Sequence, residues 1–219
     1  MALFKDRTDA GRQLADELGH YRGRADVVVL ALPRGGVPVA FEVARALQAP
    51  LDVYVVRKLG TPGRPELAMG AIASGGVMVR NEDLMVQLGI SDEQAQEVAA
   101  RELIELERRE RSYRDGREPF DVRGKTVVLV DDGLATGATM RAAVTALEAR
   151  APAAIVVAVP TAAPDTCAEF RGLVDEVVCV ATPEPFLGVG RWYQHFAQTS
   201  DQDVKALLAQ AAAEGRVHG

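Results

Sequence analysis

The sequence predicts an α/β fold: a doubly wound, mainly parallel five-stranded sheet with helices on both faces, a flexible hairpin flap and a small C-terminal hood. Three observations carry this expectation. Apolar, largely β-branched runs recur at 26–32, 51–60, 127–130, 153–160 and 174–181 without polar alternation, which is the pattern of strands buried on both faces. Stretches with apolar residues at helical spacing separate them, as in βαβ units. Two regions break the rhythm: 58–80 is rich in Gly and Pro, and the segment after 182 gathers aromatic residues. These breaks divide the chain into a core, 1–182, that includes the flap, 58–80, and a hood, 183–219.

A chain of 219 residues, 48% hydrophobic and 26% charged, suffices for one α/β domain with a small appendage. Its net charge of −6 argues against a nucleic-acid partner held by broad electrostatic attraction. Cys167 and Cys179 lack metal-ligand spacing and read as buried free thiols of a reducing compartment. His20, His195 and His218 are scattered, which disfavours a histidine metal centre. No apolar run reaches membrane-spanning length, and MALFKDRTDAG has no signal-peptide core. The expectation is a cytoplasmic protein without membrane or nucleic-acid partners.

In chain order, 8–20 reads as a helix capped by Thr8 or Asp9, with Leu14 and Leu18 on one side. The strand 26–32 runs into Pro33-Arg34-Gly35-Gly36 and a helix whose inward face is Val37, Ala40, Val43, Ala44 and Leu47. Two glycines after a strand let backbone approach a ligand, and Arg34 adds a permanent forked cation suited to pyrophosphate. Alone, such a turn also solves an ordinary βα connection. The second parallel strand, 51–60, ends in Arg57 and Lys58, and AMGAIAS and VMVR pair as a hairpin across Gly75-Gly76. That flap would close over the strand ends and exclude water; a surface ribbon with solvated charges is the alternative. Asn81–Leu88 is a short helix, and Ser91 with Gln94 forms a capping box for a long one. Val98, Ala99, Leu103 and Leu106 make its stripe, with Arg101–Glu105 and Glu105–Arg109 as i,i+4 pairs. Its charged end is a solvated face or a homodimer contact.

The centre of the chain is 125–140, KTVVLVDDGLATGATM. A buried strand ends in Asp131 and Asp132. The small-residue turn Ala135-Thr136-Gly137-Ala138-Thr139 then opens a helix marked by Met140, Val144 and Leu147. Bare backbone amides at a helix N-terminus make a phosphate site. The two acids repel that anion and suit a neutral diol or a nearby magnesium ion, held directly or through water. A ribose 5-phosphate unit presents both an anion and a diol. Beyond it lie the last two strands, a short helix at 164–170 between them, and an amphipathic helix at 201–212. Phe186, Trp192, Tyr193 and Phe196 cluster in a chain with only 5% aromatics; they would stack on a heterocycle or staple the tail to the core.

VVLVDDGLATGAT resembles the signature of the type I phosphoribosyltransferases, in which an apolar strand, two acids and a T-G-x-T loop occur in this order. It is most similar to adenine-type members. RGG resembles the family's pyrophosphate loop, and RKLGTPG its R-K-x-G-x-x-P-G run. PFLGVGRWY resembles the F-V-V-G-Y-x-L-D-Y motif of hypoxanthine-guanine members, without the metal-facing Asp. Ala135 stands where 6-oxopurine enzymes carry Asp.

The resemblance implies a magnesium-dependent transfer from phosphoribosyl pyrophosphate to a nitrogen acceptor, a nucleobase-like small molecule. Asp131 and Asp132 would hold the ribose hydroxyls, and 135–139 the 5-phosphate. Arg34, Gly35, Gly36, Arg57 and Lys58 would face pyrophosphate. Phe186 with Trp192 or Tyr193 would border the acceptor. Glu66, in the flap, is the candidate acid/base group near the base, a solvated glutamate being the alternative. Two other classes compete: a non-catalytic sensor of the same donor, and a phosphorylation receiver, which also uses an acid pair at strand ends.

Overall fold

The computed structural model describes residues 2–215, apart from the side chains of Pro65 and Glu66; His218 lies outside the described residues. Five parallel strands form the central sheet in the order β2-β1-β6-β7-β8: β1 (Val27–Ala31), β2 (Leu51–Val53), β6 (Thr126–Val130), β7 (Ala154–Thr161) and β8 (Glu176–Ala181). Every residue of β1 and β6 is buried, so their unbroken β-branched runs reflect apolar cover on both faces. One cover is α1 (Arg7–Glu17), α2 (Gly36–Leu47) and α7 (Asp201–Gly215). The other is α5 (Ala138–Glu148) and α6 (Pro164–Phe170). The inward face expected of α2 is buried in full.

Several details differ from expectation. The run 51–60 is not one strand. Only β2 joins β1; after Tyr54 and Val55 the chain enters β3 (Val56–Thr61), which pairs antiparallel with β4 (Arg64–Ala73), and β4 with β5 (Val77–Arg80). The buried Ser74 hydroxyl takes the Val55 N–H at 2.8 Å, so the strand leaves the first sheet without stranding a donor. The flap is therefore a three-stranded sheet, with β4 and β5 turning at Gly75-Gly76 as expected. In α1, the cap is Asp6, whose carboxylate accepts the Asp9 N–H at 2.9 Å. Neither Thr8 nor Asp9 caps it, because both already lie inside the first turn.

The helices α3 (Glu82–Leu88) and α4 (Asp92–Arg114) begin where expected, α4 with the Ser91–Gln94 capping box. On α4, Glu105 pairs with Arg109 and Arg108 rather than Arg101. At its far end Arg114 reaches under β2. Its Nε sits 2.9 and 3.0 Å from the two Asp52 oxygens and its Nη2 donates to the Val53 carbonyl. Both side chains are 8% exposed. Arg114→Met would leave Asp52 buried without its partner, and urea unfolding should show a loss of about 3–5 kcal/mol. Adding Asp52→Asn should recover part of that loss, because Glu110, 3.2 Å from the same guanidinium, still loses its partner. A single variant as stable as wild type would contradict this reading.

Candidate active site

The register of the central sheet creates the site. Ala31 of β1 lies opposite Val130 of β6, so the Pro33–Gly36 turn and the Asp131–Thr139 loop leave adjacent strands at the same sheet end. Ligands of open α/β sheets bind at that end. The two turns touch. A Cβ on Gly35 would collide with Asp132 Oδ2, and one on Gly36 would sit 2.7 Å from the Val130 carbonyl oxygen. Only glycine allows so close an approach. The Pro33–Arg34 peptide is cis. Arg34 points toward the start of α7, its Nη1 3.9 Å from Asp201 Oδ1. That Asp201 oxygen also accepts from Tyr113 of α4 at 2.7 Å, and burial followed by this bond pushes the phenol up to about 12.

The acid pair is crowded and incompletely used. Asp132 N–H donates to Asp131 Oδ1 at 2.8 Å. Asp132 Oδ2 accepts from Arg7 Nε at 2.9 Å and lies 2.8 Å from Arg7 Nη2. Oδ2 of Asp131 and Oδ1 of Asp132 are left without a hydrogen bond among the described residues. That leaves one carboxylate oxygen on each acid for the two hydroxyls of a diol. Burial and the neighbouring Asp132 hold the Asp131 carboxyl well above the usual carboxylate range. Burial also raises Asp132, against the pull of Arg7.

The turn after the pair is held from behind. Ala135, Thr136, Ala138 and Thr139 are exposed, whereas Gly137 is buried. Thr166 Oγ1 donates to the Ala135 carbonyl at 2.7 Å, and Leu134 bridges to Ala162. Gly137 precedes α5 at φ 72°, and a Cβ there would meet Phe170 at 2.7 Å and Thr166 at 3.0 Å. The outer surface of the turn is thus backbone amide and small side chain at a helix N-terminus.

The flap lies beside this turn. A cleft of about 640 Å³ is lined by Arg57 and Lys58 of β3, Arg101 and Glu102 of α4, and Thr139 of α5. Arg57 is committed to Glu102 through a 2.5 Å contact, which ties the flap to α4; Lys58 is exposed. Glu66 belongs to β4, and its side chain lies outside the described residues.

The aromatic tail divides in two. Tyr193 is buried against Phe4, 5.4 Å between ring centroids, and its hydroxyl donates to the Asp132 carbonyl at 2.6 Å. It is a staple and presents no open face. Phe186 and Trp192 are half-buried and stacked, with centroids 6.3 Å apart. A Cβ on Gly133 would strike Val189 at 2.5 Å, so the tail rests directly on the acid loop. Sequence reasoning missed Arg7, Glu102, Thr166 and Phe170; each contacts the site across a long stretch of chain and carries no local signature.

Comparison with known proteins settles the family. The model of the phosphoribosyl transferase domain matches residues 4–186. The chain belongs to the phosphoribosyl transferase family. A Mycobacterium tuberculosis protein with the provisional name phosphoribosyl transferase Rv0571c is 53% identical over 211 residues, 96% of this chain and 47% of that protein. The chain therefore spans about half the length of the curated relatives it matches. The crystal structure of TT1426 from Thermus thermophilus is 42% identical, with a TM-score of 0.83, over 96% of this chain and 99% of that one.

Magnesium, expected from the family, needs about six oxygen ligands. Among the described residues no three His, Cys, Asp or Glu side chains cluster to hold a metal. One Asp132 oxygen is already neutralised by Arg7. The acid pair is therefore not a metal cage of its own, and fits only an ion that brings most of its oxygens with a pyrophosphate ligand.

Proposed function

We propose that this domain transfers the 5-phosphoribosyl group from the magnesium complex of phosphoribosyl pyrophosphate to a nitrogen acceptor, a nucleobase-like small molecule, in the cytoplasm. The observation that carries this reading is the pairing of an amide-lined turn at a helix N-terminus with two half-buried acids that each keep one carboxylate oxygen open. In the reaction the sugar C1–O bond to pyrophosphate breaks, a C1–N bond forms, and the acceptor nitrogen gives up a proton. Asp131 and Asp132 hold the two ribose hydroxyls and offset positive charge as it develops at C1. Residues 135–139 fix the 5-phosphate, so the sugar is oriented before bond breaking. Arg34, Gly35, Gly36 and Lys58 receive the departing pyrophosphate, with Arg57 contributing through the Glu102-anchored flap. Phe186 and Trp192 border the acceptor, and Glu66 takes its proton.

A non-catalytic donor sensor is the second reading. The Arg57–Glu102 pair favours it, because it spends one of the cations expected to meet the leaving group. A pyrophosphate-release assay over a panel of nucleobases, with donor and magnesium, separates the two. Release that requires an acceptor is expected. Calorimetric binding of donor with no release for any acceptor would establish the sensor instead. No helix among the described residues is long and apolar enough to cross a membrane, and small molecules are the partners proposed.

A further inference from the structure

Two neighbouring buried carboxylates repel each other and need a cation close by. A divalent metal is a common solution, but this chain carries its own. Arg7, the first residue of α1, places Nε and Nη2 at 2.9 and 2.8 Å from Asp132 Oδ2. Its Nη1 donates to the Ala197 carbonyl at 2.6 Å, and its guanidinium lies over the Phe196 ring at 3.9 Å. The side chain is 12% exposed. Two segments distant in sequence, at 132 and at 196–197, thus converge on one guanidinium. An exposed ion pair is screened and weak; this one is mostly withdrawn from water, stacked and hydrogen-bonded on several sides.

We propose that Arg7 is the resident counter-cation of the acid pair, so that a sugar phosphate binds here without a divalent metal. The inference rests on the reading of the acid pair and the 135–139 turn as a ribose 5-phosphate site. Arg7 acts as a positioning residue, through Asp132. Arg7 Nε donates to Oδ2 and Nη2 lies 2.8 Å from the same oxygen, which Gly35 approaches so closely that no Cβ fits between them. The carboxylate is fixed in rotation, with Oδ1 left for a sugar hydroxyl. The metal requirement is thereby moved from the sugar to the pyrophosphate, where like charges on the ligand itself need neutralising.

The test is calorimetric titration of the chain with ribose 5-phosphate, which has no pyrophosphate, in EDTA and in millimolar magnesium. Wild-type affinities should agree within about twofold, and Arg7→Met should bind roughly tenfold more weakly in EDTA, about 1.4 kcal/mol, with magnesium restoring most of the loss. Arg7→Lys, which keeps the charge and loses the fork, should fall between them. A wild-type affinity that collapses by roughly tenfold in EDTA overturns the inference, and needs no variant should Arg7→Met fail to fold. Arg7→Met binding as well as wild type in EDTA, or more tightly, overturns it too, the latter by showing that Arg7 competes with the sugar. Wild type binding no ribose 5-phosphate in either buffer defeats the site reading itself, whereas metal-dependent wild-type binding defeats only the role of Arg7.

Discussion

The double variant Asp131→Asn, Asp132→Asn is expected to slow acceptor-dependent pyrophosphate release by roughly a thousandfold or more, the scale of losing fixed charge aimed at a developing one. The substitutions keep shape and hydrogen bonds. The amide introduced at position 131 retains an oxygen for the backbone N–H of residue 132, and the amide at position 132 retains one for Arg7, in place of the bonds now made. What disappears is negative charge facing the sugar. Stability should not fall in proportion, because burial and mutual repulsion already disfavour two ionised carboxyls there. Steady-state rates together with a thermal melt check both halves. A double variant with near wild-type turnover would remove the acids from the mechanism.

Gly137→Val is expected to weaken ribose 5-phosphate binding by about a hundredfold, roughly 2.7 kcal/mol. The cause is not bulk filling the phosphate cradle. A side chain at 137 points away from the open face, toward Phe170 at 2.7 Å and Thr166 at 3.0 Å. At φ 72° a β-branched residue is also strained. Relief requires the turn to shift or α6 to back away, and either disturbs the amides and the Thr166 bond to the Ala135 carbonyl. Phe170→Ala with Gly137→Val should recover part of the affinity by making room, although the backbone strain remains. Calorimetry on both variants measures this; unchanged affinity in Gly137→Val would show that the phosphate is held elsewhere.

How far the sequence could be read follows from how local each feature is. β6, the acid pair, the turn and α5 occupy one continuous stretch, so apolar run, paired acids and small residues identify them together. The capping box of α4 and the bounds of α6 were legible for the same reason. The break between β2 and β3 was not, because Tyr54, Val55 and Val56 continue an apolar β-branched run and the cue is a hydroxyl nineteen residues away, at Ser74. Tyr193 shows the limit for side chains. Its composition suits a stacking platform and a staple equally, and only the bond to the Asp132 carbonyl decides. Arg7 meets Asp132 across 125 residues, a pairing that no periodicity or motif encodes.

One end of the sheet is expected to hold a sugar phosphate by both of its handles. A crystal of the chain soaked with ribose 5-phosphate tests it most directly. The phosphate should lie on the amides of 135–139, with the 2- and 3-hydroxyls within hydrogen-bond distance of the open oxygens of Asp131 and Asp132. A sugar phosphate found instead in the flap cleft beside Arg101, with the acid pair untouched, would remove both the acids and the turn from sugar-phosphate binding.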